Sequence, residues 1–331
     1  MSSHPTADEF SRFDNFTVIN TTYKVVAGHA IGADFLIPKQ LLVAGDKSSK
    51  PRPIIVRYHG GYLIGAGSMF PPFFGPWILQ LAERHSAVIV SVNYRLYPES
   101  PVTDILTDVR DFWTWLHSAE PSKILDEQTQ GRVQLDTDRI ITTGESAGGY
   151  LSLMTALDHP GEIRAVTAAY PVVDTRVAWY TEANKLPRLG RSYVPRDIFD
   201  DHVVKVACGE LPAIISNDAK FERNDIIFSA VHNGIIGQMF DVEGRQQLPS
   251  QRVEDGAVFP RGGVFILHGR DDTMVPVAEV EALKATANRL DPTLDFHLSI
   301  QPGEHGFDED ISIDDPWMKE GLEGVVKSWL A

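Results

Sequence analysis

Apolar and polar positions along the chain change period twice. Phe16 to Val26 and Ala30 to Ile37 are β-rich runs on either side of Ala27-Gly28-His29, which predicts a strand pair. Residues 1–16 read as a polar arm with scattered phenylalanines. Lys39 to Pro53 reads as a linker, with Gly45 to Ser49 as an exposed turn. Short buried apolar runs then alternate with helical spacing. Strands are expected at Pro53–Tyr58, Ala87–Val92, Arg139–Thr143 and Ile163–Ala169, with helices at Pro76–His85, Asp104–His117 and 147–158. That alternation predicts βαβ units, hence a mostly parallel sheet with helices on both faces. Between Thr175 and Pro260 it lapses, and helix is expected only over Arg196–Cys208 and Asp225–Gln238. About 85 residues are too many for a loop, so the segment predicts a cap inserted over the sheet or an internal second domain. The sheet resumes at Gly263–His268, followed by a helix at Val277–Leu290, a strand at Leu294–Ile300 and a helix at Pro316–Leu330. The expected organisation is an arm and first strands over 1–50, an α/β core over 51–174 and 261–331, and an inserted, largely helical cap over 175–260.

Chemistry concentrates where strands end, as open parallel sheets require. After the run Ile140 to Thr143, Ser146 sits between Gly144 and Gly148 in G-x-S-x-G spacing, and a helical pattern follows. A strand–turn–helix this tight leaves no room for a β-carbon two residues either side of the serine, and it pushes the hydroxyl out of the sheet. The bland reading is a Gly-rich turn with a capping serine. Three further strand ends decide against it. Tyr58-His59-Gly60-Gly61-Tyr62 places adjacent glycines where two N–H groups can converge on a developing oxyanion. His59 is read there as a brace for the loop. Leu267-His268-Gly269-Arg270-Asp271-Asp272 supplies carboxylates, of which Asp272 is the better partner for a histidine, with Asp271 facing solvent or capping the next turn. Gln301-Pro302-Gly303-Glu304-His305-Gly306-Phe307 places His305 in a Gly-rich loop free to reach the sheet edge. Ser146, Asp272 and His305 occur in the order Ser…Asp…His, the order of nucleophile, acid and base in α/β hydrolases.

Bulk properties narrow the partners. A formal net charge of −15 repels nucleic acid and anionic membrane surfaces. No apolar run reaches the length of a membrane span, and the first ten residues lack the basic and apolar regions of a signal peptide, so a cytoplasmic setting is expected. The one cysteine, Cys208, is read as a small buried hydrophobe, not a nucleophile. The His and Asp residues show no metal-ligand spacing, and no cofactor is called for.

With these residues in hand the chain resembles the α/β-hydrolase fold-3 group, the hormone-sensitive-lipase-like esterases, over roughly residues 50–330. The resemblance rests on G-E-S-A-G-G, H-G-G and Asn93-Tyr94-Arg95-Leu96-Tyr97-Pro98-Glu99, with Asp108 ten residues beyond Pro98. It implies the α/β-hydrolase fold, oxyanion N–H donors at Gly60, Gly61 and Ala147, and a cap built from the N-terminal arm and the insertion. Arg95, Glu99 and Asp108 are read as a structural ion-pair set. The chain departs from the group's pattern at Tyr62, which replaces a glycine, at Glu145, where Asp is common, and at H-G-R-D-D-T-M-V-P, which replaces D-P-L-x-D. Asp174 is the rival position for the acid.

The expected function is therefore a serine hydrolase cleaving a carboxylic ester or lactone through an acyl-enzyme on Ser146. Tyr62, Glu145, Tyr180 and Phe307 are candidate pocket residues, and the aromatics of the insertion suggest an apolar acyl or alcohol part. Two alternatives accompany it. One is acyl transfer, thioester release or C–C bond hydrolysis on a polyketide-type metabolite with the same triad, and the other is a non-catalytic ligand receptor. The expected partner is a small ester or lactone, and a homodimer is compatible with the sequence.

Overall fold

The computed structural model describes residues 7–43 and 50–331, so the turn expected at Gly45 to Ser49 lies outside the described residues. Eight strands form one sheet: β1 (Phe16–Val26), β2 (His29–Pro38), β3 (Arg52–Tyr58), β4 (Val88–Val92), β5 (Leu135–Gly144), β6 (Ala165–Ala169), β7 (Val264–Gly269) and β8 (Phe296–Gln301), in the order β1-β2-β4-β3-β5-β6-β7-β8. β1 and β2 form an antiparallel hairpin closed by Ala27 and Gly28 at φ 47° and 83°. β2 runs antiparallel to β4, and every pairing from β4 to β8 is parallel. The expected sheet class is the observed one.

Side chains alternate across β3, so Ile54, Val56 and Tyr58 enter one core while Ile55 enters the other. Phe112 and Trp115 of the helix Val102–Leu116 pack on the first face, and Trp77 and Trp329 of the helices Pro76–His85 and Pro316–Leu330 pack on the second. The chain leaves β3 for β4 on one side and returns to β5 on the other. β3 and β5 therefore flank the topological switch point, where a crevice opens at the strand ends.

Between β6 and β7 the chain forms helices at Ala178–Thr181, Asp197–Ala207, Asn224–His232 and Pro249–Glu254. The helix expected over Asp225–Gln238 stops at His232, because Gly234 takes φ 67° and a β-carbon there would meet the Thr181 carbonyl at 2.6 Å; one 3-10 turn, Ile236–Met239, follows. A helix at Ala119–Thr129 buries only Pro121, Leu125 and Thr129, too sparse a stripe to show in the apolar pattern. Cys208 is exposed, not buried, just past the helix Asp197–Ala207.

The predicted ion-pair set divides in two. Arg95 holds Asp108 at 2.8 Å and Asp104 at 2.7 Å. Glu99 instead accepts Arg223 at 2.7 Å and His202 at 2.8 Å, so it anchors the segment between β6 and β7 to the core.

Candidate active site

The turn after β5 is as tight as its spacing requires. Ser146 has φ 55° and ψ −118°, and its N–H donates to the Ala169 carbonyl at 2.9 Å. A β-carbon at Gly144 would meet the Gly148 carbonyl at 2.3 Å, and one at Gly148 would meet the Tyr58 carbonyl at 2.0 Å. Both glycines are therefore imposed by close backbone approach, and the helix Ala147–Asp158 starts directly after the serine.

The H-G-G turn follows β3 on the neighbouring strand. His59 is fully buried, its ring stacked on Tyr94 at 4.3 Å and its Nδ1 against the Gly60 carbonyl at 2.8 Å. Burial pushes its imidazole down to about 3, so it braces the turn as a neutral ring. Gly61 has φ 97°, Tyr62 φ 54° and Leu63 φ 61°, a left-handed run whose first two residues line the cavity. Gly60 corrects the expected donor set: its N–H donates to Glu145 Oε1 at 2.9 Å and is not available to an oxyanion. The N–H groups of Gly61, Tyr62 and Ala147 meet no acceptor among the described residues. The Tyr62 hydroxyl donates to the Met274 carbonyl at 2.6 Å, tying this turn to the loop after β7.

That loop carries the two candidate acids. Asp272 is buried; its Oδ1 accepts the N–H groups of Met274 and Val275, each at 2.8 Å, and its Oδ2 lies 2.8 Å from His305 Nδ1. Burial works against this carboxylate, but His305 foremost, and His268 at 3.3 Å, hold it well below the usual carboxylate range. Asp271 is exposed and accepts only the Gly303 N–H at 3.3 Å. Asp174 is engaged by Arg176 and stands apart from His305.

His305 packs against Tyr170 with ring centroids 4.5 Å apart and ring planes tilted by 59°. The Tyr170 hydroxyl donates to buried Asp308 at 2.8 Å, and Trp77 Nε1 donates to the same carboxylate at 2.9 Å. Neither Tyr170 nor Asp308 was singled out from the sequence. Tyr170 had one available signal, its place directly after a buried strand, whereas Asp308 had none.

One cavity of about 810 Å³ joins these parts. Gly60, Gly61, Tyr62, Glu145, Ser146, Tyr170 and His305 line it from the sheet side, and Leu189, Phe221, Ile227 and Phe228 line it from the segment between β6 and β7. Ser146 Oγ and His305 Nε2 form no hydrogen bond with each other among the described residues. Two expected pocket residues are absent from that lining. Tyr180 is buried with its hydroxyl 3.3 Å from Glu279, and Phe307, half-buried, packs on Tyr170 and Trp317. Glu145 lines the cavity, but its Oε1 is held by Arg57 at 2.5 Å as well as by Gly60. No cluster of potential metal ligands and no helix long and apolar enough to cross a membrane occur among the described residues.

A family model described as alpha/beta hydrolase fold matches residues 55–214, a span holding the H-G-G turn and Ser146 but neither Asp272 nor His305. A probable carboxylesterase of Phoma sp. is 25% identical over 322 residues, which is 96% of this chain and 98% of the relative. A probable carboxylesterase of Cochliobolus lunatus is 27% identical over 206 residues, 60% of this chain and 92% of the relative. Among solved structures, carboxyl esterase 2 of the mycorrhizal fungus Tuber melanosporum has a TM-score of 0.57 at 16% identity, over 95% of this chain and 88% of that one, a likeness of fold alone. With the eight-stranded sheet and the glycine-bound serine turn at its switch point, the match over residues 55–214 shows that the chain has the α/β-hydrolase fold.

Proposed function

We propose that this chain is a serine hydrolase of carboxylic esters or lactones. The observation that carries the reading is the meeting, in one cavity, of a serine on a strained elbow and a histidine paired at 2.8 Å with a buried carboxylate. His305 Nε2 takes the Ser146 proton as Oγ attacks the ester carbon. Asp272 accepts Nδ1–H, which fixes the tautomer and stabilises the imidazolium. The N–H groups of Gly61 and Ala147, with that of Tyr62 in the place expected of Gly60, receive the negative oxygen. The tetrahedral adduct collapses, His305 returns the proton to the departing alkoxide, and an acyl group remains on Oγ. Water then attacks the acyl-enzyme, giving up a proton to His305; the second adduct expels Ser146 Oγ, which takes that proton back, and the carboxylic acid leaves.

The segment 175–260 together with the arm acts as the cap. Arg12 of the arm donates to the carbonyls of Pro71 and Phe74, which flank the cavity residues Pro72 and Phe73. Phe73, Phe221, Phe228, Ile227 and Met274 give the cavity an apolar wall beside Arg191, Glu222, Asp225 and Glu309, and that wall supports an apolar acyl or alcohol part. The relatives named carboxylesterases support the same reaction class. The test is turnover of short-chain p-nitrophenyl esters with labelling by a fluorophosphonate. The reading expects both, and a wild-type protein inert to both sinks it.

A further inference from the structure

Buried in the α/β core beneath the elbow is a charged pair that the reaction just described does not use. Arg57, on β3, is fully buried on the face that carries Ile55. Its Nη1 donates to the Ser68 carbonyl at 2.8 Å and to Ser91 Oγ of β4 at 3.0 Å. Its Nη2 donates to the Phe73 carbonyl at 3.1 Å and to Glu145 Oε1 at 2.5 Å, and the guanidinium lies 3.8 Å over the Phe74 ring. One planar cation thus spans the cavity wall, a neighbouring strand and the residue before the nucleophile, a fork that lysine cannot reproduce.

Glu145 completes the connection. Its Oε1 accepts both Arg57 and the Gly60 N–H, while its own carbonyl accepts the Gly148 N–H at 2.7 Å. The two turns touch: a β-carbon at Gly60 would meet the Glu145 carbonyl at 3.0 Å and Ser146 Cβ at 3.4 Å. The second oxygen, Oε2, is buried with no partner among the described residues, a cost carried to keep Oε1 on two donors. Burial pushes this carboxyl up against the pull of Arg57, so the arrangement is not kept for ease of burial.

We propose that Arg57 and Glu145 are positioning residues that set the separation between Ser146 and the amides of Gly61 and Tyr62. Glu145 acts through Gly60 and does not contact substrate. The inference rests on the esterase reading and deepens it. An oxyanion hole works only if its donors are placed for the oxygen as it becomes negative, so a displaced turn costs rate and leaves substrate binding intact.

The experiment measures kcat, KM, the inhibition constant of a trifluoromethyl ketone that forms a tetrahedral oxyanion, and thermal stability. The variants are Glu145→Gln and the double variant Arg57→Met with Glu145→Gln. The double variant removes the charges as a unit, so that neither is stranded if the single variant unfolds. The expected result is a kcat about 10–100-fold lower, a KM within about threefold of wild type, and ketone affinity falling in step with kcat/KM. A folded variant with wild-type kcat overturns the inference. So does a loss confined to KM, or a loss that follows the unfolded fraction at unchanged ketone affinity. Failure of both variants to fold overturns it too, since the pair is then a requirement of folding and not of rate. If instead the wild type is inert to esters and fluorophosphonate, the esterase reading is what fails.

Discussion

Ser146 and His305 line the same cavity, yet the molecule holds them by opposite means. The serine is placed by backbone: its φ is positive, its flanking glycines leave no room for a β-carbon, and its N–H is fixed on Ala169. The histidine is placed by side chains, with Asp272 on Nδ1 and Tyr170 packed at a tilt against the ring, in a loop that leaves the residue partly exposed. A nucleophile must be in one place throughout the reaction, and steric confinement provides that. A base must pass a proton between two oxygens, and polar contacts hold an imidazole without freezing it. The lesson is that the two ends of the site should fail differently.

The largest effect is expected where either reacting group is removed. Ser146→Ala and His305→Ala should each lower p-nitrophenyl ester turnover by about 10⁴–10⁶-fold with the fold intact. Near-wild-type turnover in either ends the comparison, because one partner is then not a reacting group. Next comes Asp272→Asn, which keeps the shape and takes away the charge that holds Nδ1–H; kcat should fall about 10³–10⁴-fold. Asp271→Asn should stay within about threefold of wild type, since its carboxylate reaches only Gly303. A worse loss at 271 than at 272 would reverse the assignment of the acid.

Gly148→Ala probes the other end. Its new methyl group would sit 2.0 Å from the Tyr58 carbonyl, so stability should fall by about 3 kcal/mol or more, read as a lower Tm, with activity lost along with it. The smallest effect separates the two mechanisms by pH. The folded-state value of Asp272 is held below its ordinary one, so its stabilisation is present above about pH 4 and lost as the pH falls through the folded value. The Tm deficit of Asp272→Asn should therefore narrow on acidification below about pH 4, while that of Gly148→Ala, a steric clash, stays constant. Parallel behaviour of the two would mean that charge does not hold the histidine end.

Where a boundary is set by local chemistry, the sequence displays it. The expected spans Pro76–His85, 147–158, Val277–Leu290 and Pro316–Leu330 coincide with the observed helices, each with a proline or a glycine turn at its start. Where a distant contact decides, it does not. Gly234 ends a helix because the Thr181 carbonyl lies against it, and no periodicity within 225–238 registers that. Tyr180 resembled a pocket residue because a buried aromatic and a cavity-lining one share the same local pattern; only packing separates them. The diversion of the Gly60 N–H to Glu145 is likewise a matter of 2.9 Å between residues 85 positions apart, and the same holds for the clamp of Asp308 on Tyr170.

The order of strands in the sheet also sets a timetable. Elbow and H-G-G turn follow β5 and β3, whereas Asp272 and His305 follow β7 and β8. A polypeptide emerging from the ribosome thus carries its serine turn long before the proposed acid and base have been made. Until β7 and β8 have been made and docked, the newborn chain lacks two of the three groups that the proposed reaction needs.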